Sequence, residues 1–313
     1  MKPDRRKFIH QTAILTSAAT VLSFFPQPSF SNTMNKKSNF RYCLNTSTIS
    51  GQNPGLIRYL EIASRAGYDG IELWIRDVKE YLDQGNSIAT LQKQIRDSGL
   101  TVENAIGFAT WMVDDVEQRK EALILMKEEM ELMSQLGCIR MAACAKGLVP
   151  GSQVDLLKIG ERYKQVIELG RQTGVMPVLE FWGHSPFSTL GQAMLVCAVA
   201  NDPDVHILAD VYHMFRGGAG FEALGMLRGD VIEIFHMNDY VLSIPREQQM
   251  DKDRVYPGDG NAPLKQILTD LSQMGGTKVL SLELFNPEYY KQDPYMVAKT
   301  GLQKMKAQVD LVS

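Results

Sequence analysis

Cysteine is scarce in this sequence. The four present, Cys43, Cys138, Cys144 and Cys197, show no CxxC spacing and sit mostly in apolar runs. That argues against a disulfide framework and for buried free thiols. Excess positive charge is also lacking: the net charge is −3, so no basic footprint points to nucleic acid. No glycine-rich fingerprint opens the first helix, which weakens a dinucleotide-binding reading. Beyond the N-terminal stretch, no apolar run is long enough to span a membrane. Internal repeats, low-complexity segments and linkers are absent as well.

What is present is ordinary globular composition: 313 residues, 44% hydrophobic and 22% charged. That is enough chain for one large α/β domain, since barrels of about 250 residues fold as one unit. The first 33 residues read differently. Arg5-Arg6-Lys7-Phe8-Ile9 precedes a weakly apolar stretch from Thr12 to Phe25, then Pro26 and Pro28, with small residues at Ser29 and Ser31. A charged start, a short apolar region and a small-residue site describe an export signal. The paired arginines resemble the twin-arginine type. The expectation is therefore a leader over residues 1–33, a mature domain over 38–313, and a periplasmic location.

From Phe40 onward, strand and helix signals alternate. Strands are expected at Arg41–Asn45, Gly70–Trp74, Leu100–Ile106 and Cys138–Cys144. Four further runs follow: Val175–Glu180, Val205–Asp210, Val231–His236 and Val279–Glu283. Between them lie helix-length segments closed by glycines such as Gly67, Gly99, Gly137 and Gly174. A helix beginning at Asp114, with Glu117 completing a capping box, carries a stripe of Met126, Met130 and Met133. Tyr289–Val312 reads as one closing helix. Eight strand–helix units in about 270 residues predict a (β/α)8 TIM barrel rather than an open doubly wound sheet.

The last four strands end in Glu180, Asp210, His236 and Glu283. A barrel enzyme keeps its chemistry at the C-terminal ends of its strands. An ionised carboxylate there loses hydration, so it must be paired, solvated or metal-bound. Three carboxylates and an imidazole suit a divalent cation; a structural ion-pair network is the competing reading.

These residues lie within longer stretches: Leu179-Glu-Phe-Trp-Gly-His184, Ala209-Asp-Val-Tyr-His213, Phe235-His-Met-Asn-Asp239, Asp253-Arg-Val-Tyr-Pro-Gly-Asp-Gly260 and Ser281-Leu-Glu-Leu-Phe-Asn-Pro-Glu-Tyr-Tyr290. With them the chain resembles the xylose-isomerase-like barrel family of sugar isomerases and epimerases, closest to its inosose (2-keto-myo-inositol) isomerase branch. The resemblance implies one divalent metal (Mn, Mg, Co or Zn) held by Glu180, Asp210, His236 and Glu283. It implies that Glu180 and Glu283 are also catalytic, moving a proton on opposite faces of a substrate carbon. It makes His213 and Arg254 substrate contacts.

Other residues extend the expected site. Glu72 ends the second strand, where a substrate contact and an ion pair are equally plausible. His184 is expected to touch substrate. His206, inside the sixth strand, reads as a satisfied core histidine, Lys146 as a solvated loop lysine, and Pro257-Gly-Asp-Gly260 as a tight turn. Trp74, Trp111 and Trp182 fall at or beyond strand C-termini, so flat apolar walls for a sugar ring are expected. The inosose isomerases do not share this aromatic set.

The expected activity is isomerisation or epimerisation of a keto-sugar or keto-polyol through an enediolate. A lyase using the same site is the alternative: proton removal at C2 of a 3-keto-glycoside, followed by β-elimination, with the tryptophans holding a larger substrate. A non-catalytic sugar-binding barrel is the third reading. An endonuclease would need more metal ligands and a basic groove, and neither is visible. The expected partner is a small carbohydrate. A homo-oligomer is compatible with the sequence and not required by it.

Overall fold

Each expected strand is found, with its ends shifted by no more than three residues. In the computed structural model, which describes residues 39–312, they are β1 (Asn39–Asn45), β2 (Gly70–Trp74), β3 (Thr101–Ile106), β4 (Arg140–Cys144), β5 (Met176–Glu180), β6 (Ile207–Asp210), β7 (Ile234–Met237) and β8 (Thr277–Leu282). They pair in parallel and in sequence order, and β8 returns to β1, closing an eight-stranded barrel. The expected export signal lies outside the described residues. No helix among the described residues is long and apolar enough to cross a membrane.

The helices that cover the barrel start and stop on local chemistry. α1 (Leu56–Ala66) ends at Gly67, whose φ of 93° suits the left-handed cap. α2 (Ile75–Asp83) follows β2 directly and has no counterpart in the expected elements. α3 (Ile88–Ser98) is capped by the Ser87 side chain. α4 (Val116–Gln135) is capped by Asp115, which accepts from the Gln118 N–H. The expected cap at Asp114 is therefore one residue early; Asp114 instead pairs with Arg162. Met126, Met130 and Met133 face the core as their spacing implied.

α5 (Leu156–Thr173) and α6 (Leu190–Ala200) follow, the latter with a Thr189/Gln192 capping box. α7 (Val211–Gly217) begins directly on Asp210. The segment that follows α7 holds a 3-10 turn, Glu222–Met226. α8 (Leu264–Met274) lies in the segment between β7 and β8. The closing helix is two pieces, α9 (Pro287–Tyr290) and α10 (Pro294–Asp310), because Pro294 cannot supply the amide a continuous helix needs.

Strand side chains alternate between two cores. One face meets the helices. The other fills the barrel interior with a small apolar layer that includes Cys43, Val178, Leu208, Ile234 and Val279. Two residues further along their strands, on the same face, stand Asn45, Glu180, Asp210, His236 and Ser281. The barrel is therefore plugged below and polar above. At the opposite end an ion-pair network, Arg41–Glu103 at 2.8 Å and Arg140–Glu233 at 2.8 Å, closes the floor. His206 precedes β6 there, half-buried, with Nδ1 2.9 Å from the Asp230 carbonyl. It is satisfied, as expected, but it is not a core residue. All four cysteines are buried and free.

Trp111 is the main correction among the aromatics. It follows β3 but folds inward and is 0% exposed, in the core between barrel and helices. Its ring lies 5.8 Å from that of Tyr163. A strand-end position does not decide which way the following loop turns, and this one turns away from the mouth. Trp111→Ala should therefore destabilise the fold by roughly 3–5 kcal/mol, as large aromatic truncations in a packed core do. Denaturant titration measures this; a change within about 0.5 kcal/mol, as for an exposed residue, would return Trp111 to the surface.

Candidate active site

The barrel's register brings the strand-end residues together. Asp210 pairs across the ladder with His236, and His236 with Ser281. The Glu283 amide continues that ladder to the Met237 carbonyl at 3.2 Å. The imidazole is thus held at the centre of a ring of carboxylates. Its Nδ1 lies 3.1 Å from Glu283 Oε2, 3.6 Å from Asp210 Oδ2 and 3.7 Å from Glu180 Oε1. Its Nε2 lies 3.0 and 3.1 Å from the two oxygens of Glu72.

Of the two readings of Glu72, the geometry favours the ion pair: it is fully buried against His236 and does not line the cavity. Besides His236, its oxygens accept from Asn45 Nδ2 (2.9 Å), Asn104 Nδ2 (2.7 Å) and Ser281 Oγ (2.5 Å). A carboxylate this well supplied with donors fixes the imidazole's orientation, as outer partners of metal-bound histidines do.

Asn45 is the residue that sequence reasoning missed. Its Oδ1 accepts from the Trp74 indole N–H at 2.9 Å and from the Ser47 amide at 2.9 Å. Two donors on one oxygen leave the amide nitrogen free to give to carboxylates on both sides, Glu72 and Glu283 Oε1 (3.0 Å). An asparagine at the end of a strand is unremarkable in one sequence. Its place on the same interior face as the other strand-end residues is the signal that could have found it.

Arg254 enters from the loop after β7 and is 1% exposed. Its Nη1 donates to Asp210 Oδ2 at 2.9 Å and Glu283 Oε2 at 2.7 Å, and its Nη2 pairs with Asp251. It still borders the cavity, beside His213 and His184. The His213 ring accepts from the Gly183 amide at 3.3 Å. Glycine is required at 183, because a Cβ there would stand 2.6 Å from the His213 carbonyl. Asp239, after β7, accepts from the amides of Tyr240, Gly258, Gly260 and Ala262. The Pro257–Gly260 turn is wrapped around that carboxylate and is no phosphate loop.

The electrostatics follow from burial and crowding. Glu180 is raised to about 8, chiefly by burial, with His236 opposing the rise and Glu283 and Asp210 adding to it. Burial would raise Glu283 too, but His236 and Arg254 overcome it and bring it down to about 2. Burial, together with Arg254, holds His213 well below its usual value, so it is neutral.

A divalent cation fits this donor set. One oxygen or nitrogen each from Asp210, His236 and Glu283 lie within 4.8 Å of one another. His236 Nδ1 is fully buried and has no hydrogen-bond partner, although it faces three carboxylates. With Nε2 committed to Glu72, that lone pair points into a negative field that only a cation or a proton relieves. Glu180 borders this group without entering the tightest cluster.

Above the carboxylates opens a cavity of about 410 Å³. Of the expected walls, Trp74 and Trp182 line it and Trp111 does not. Phe108 and Phe285, which the sequence did not single out, complete the lining. Lys146 is exposed, 5.9 Å above the Phe108 ring.

Asn45→Ala should cost roughly 1–3 kcal/mol, because it strips donors from two buried carboxylates. Asn45→Asp should cost more, by setting a third carboxylate against them. Chemical denaturation checks both; equal stability of all three proteins would show that the amide bridge carries no energy.

The comparisons with known proteins agree with this fold. The model of the family described as xylose isomerase-like TIM barrel matches residues 60–308. An inosose isomerase of Bacillus velezensis is 30% identical over 277 residues, covering 86% of this chain and 97% of its own. A 3-dehydroshikimate dehydratase of Pseudomonas putida is 23% identical over 83% of this chain, which spans 40% of that protein. A crystal structure described as IOLI protein with a binding zinc atom superposes with a TM-score of 0.80 at 26% identity, covering 87% of this chain and 99% of that one. The chain belongs to the xylose isomerase-like TIM barrel family.

Proposed function

We propose that the protein is a divalent-metal-dependent isomerase or epimerase that removes a proton α to the carbonyl of a keto-sugar or keto-polyol. The single observation that carries the metal is His236 Nδ1, buried and unpartnered among the carboxylates of Asp210, Glu180 and Glu283. Asp210, His236 and Glu283, with Glu180 at their edge, would hold it. The zinc in the structural neighbour and the activity named for the inosose isomerases support the reading. A bound cation supplies charge stabilisation for the developing enediolate and fixes the substrate's oxygens.

The chain's own residues supply the rest. A proton beside a ketone is weakly acidic, so its base must stand within hydrogen-bond reach of it. Glu180 and Glu283 both border the cavity and come from opposite parts of the ring, after β5 and β8. One carboxylate takes the proton and the C–H electrons move onto the carbonyl oxygen. Return of a proton to the other face of the planar intermediate gives the epimer. Return at the neighbouring carbon gives the isomer. Glu283 is tied down by Asn45 and Arg254, whereas Glu180 is held more loosely, against Trp182 and His236. Glu180 is therefore the freer of the two to shuttle. His213, neutral and aimed into the cavity, and Arg254 are placed to hold substrate oxygens. Export of the mature domain, read from residues 1–33, belongs to the same proposal.

The lyase reading uses the same first step, and the dehydratase relative favours keeping it. With a 3-keto-glucoside, uptake of solvent deuterium without cleavage marks the isomerase, and release of the C1 substituent marks the lyase.

Glu180→Gln and Glu283→Gln should each lower deuterium exchange at the α-carbon by about 10²-fold or more. Chelation should abolish exchange and lower Tm, and added zinc should restore both; saturation at about 100 times Kd is worth roughly 2.7 kcal/mol. Full exchange in either variant would remove it from the acid–base pair. A Tm indifferent to chelator and metal would sink the metal site.

A further inference from the structure

The cavity is lined by polar groups and by aromatic rings, and only the polar groups, Glu180, Glu283, His213 and Arg254, are accounted for by the proposed reaction. The rings stand beside those groups, with Arg254 5.1 Å over Phe285 and Trp182 6.5 Å from the His213 ring. They form a chain: Phe285 to Trp74 at 6.0 Å, Trp74 to Phe108 at 5.2 Å and Phe108 to Trp182 at 6.3 Å between centroids. Successive rings are inclined at 64°, 63° and 56°. Phe108 is 37% exposed, which leaves a large apolar ring facing solvent at the mouth.

That shape decides between possible occupants. A sugar ring is held by a flat face together with polar groups at its edge for the hydroxyls. Here the rings meet edge to face, so they form a trough, and Ile106 extends its apolar lining. A flat aromatic guest in such a trough offers its edge to one wall and its face to the next, the arrangement aromatic rings favour. Cations stand over these rings, Lys146 5.9 Å over Phe108 and Arg76 4.4 Å over Trp74, and exposed Lys252 lines the cavity next to Asp251. These suit the electron-rich oxygens of a phenolic ring.

We infer that the aromatic trough is a subsite for an aryl group carried on the keto-sugar, so that the substrate is an aryl glycoside rather than a free sugar. The sugar part of this assignment rests on the proposed function; the trough itself does not.

The test is binding rather than turnover. Calorimetry on the full chain with zinc present would compare p-nitrophenyl β-D-glucoside, methyl β-D-glucoside and cellobiose. The aryl glycoside should bind about tenfold more tightly than either of the others. Phe108→Ala and Phe108→Leu should each cut the aryl-to-methyl ratio by about two- to tenfold, because leucine keeps the apolar volume and loses the ring. Equal affinity for the three ligands, binding of none, preference for cellobiose, or an unchanged ratio in both variants would overturn the proposal. Loss of the α-carbon exchange alongside an intact aryl preference would remove the proposed reaction and leave the trough standing. Exchange without aryl preference would do the reverse.

Discussion

The site depends on one electrostatic constraint: an imidazole nitrogen at the centre of a barrel, with carboxylates on three sides and no donor of its own. Like charges held this close in a poorly solvated interior repel strongly unless a cation stands among them. Arg254 supplies one positive charge, bridging Asp210 and Glu283. It does not reach His236 Nδ1, so the field around that atom is left for another cation. The rest of the structure serves to hold this arrangement still. Glu72 orients the imidazole, Asn45 and Asn104 hold Glu72, and the floor of Arg–Glu pairs keeps the opposite end of the barrel closed.

The fold makes that constraint possible by separating burial from polarity along each strand. Inward-facing positions read apolar in the middle of the barrel and polar at its C-terminal end, two residues later on the same face. Val178 precedes Glu180, Leu208 precedes Asp210 and Ile234 precedes His236. The apolar layer keeps water from reaching the carboxylates from below. The cavity admits it only from above, where the aromatic rim narrows the approach. Burial is the largest influence on Glu180, which stands directly above the layer that plugs the barrel.

Much of this was legible in the sequence. The strand ends carrying Glu180, Asp210, His236 and Glu283 stood out because each closes an apolar run, and the closed barrel placed them together. The expected export leader lies outside the described residues. What was illegible depends on loop direction and on hydrogen-bond geometry. Trp111 and Phe108 lie three residues apart after the same strand, and the chain's turn there buries the tryptophan and exposes the phenylalanine. Glu72 lies within β2 and Glu180 ends β5, and both stand among apolar neighbours. Only the neighbours, donors on every side for one and a cavity for the other, make one a positioning group and the other a candidate acid–base. Asn45 carries no charge and ends a strand with no apolar run of note, so only its register on the interior face of β1 distinguishes it.

Asn45 also explains why the aromatic wall and the carboxylate ring cannot vary independently. The Trp74 ring faces the cavity, while its indole N–H fixes the amide that bridges Glu72 and Glu283. An aspartate at position 45 would accept from Trp74 and Ser47 but offer nothing to the two carboxylates. A glutamine would carry its amide one methylene further from the strand. The side chain has to present one acceptor and two donors from a fixed point on β1, and among the uncharged side chains of that length only asparagine does so. Whatever lies against Trp74 in the cavity therefore presses, through one rigid amide, on the carboxylate that would hold the cation.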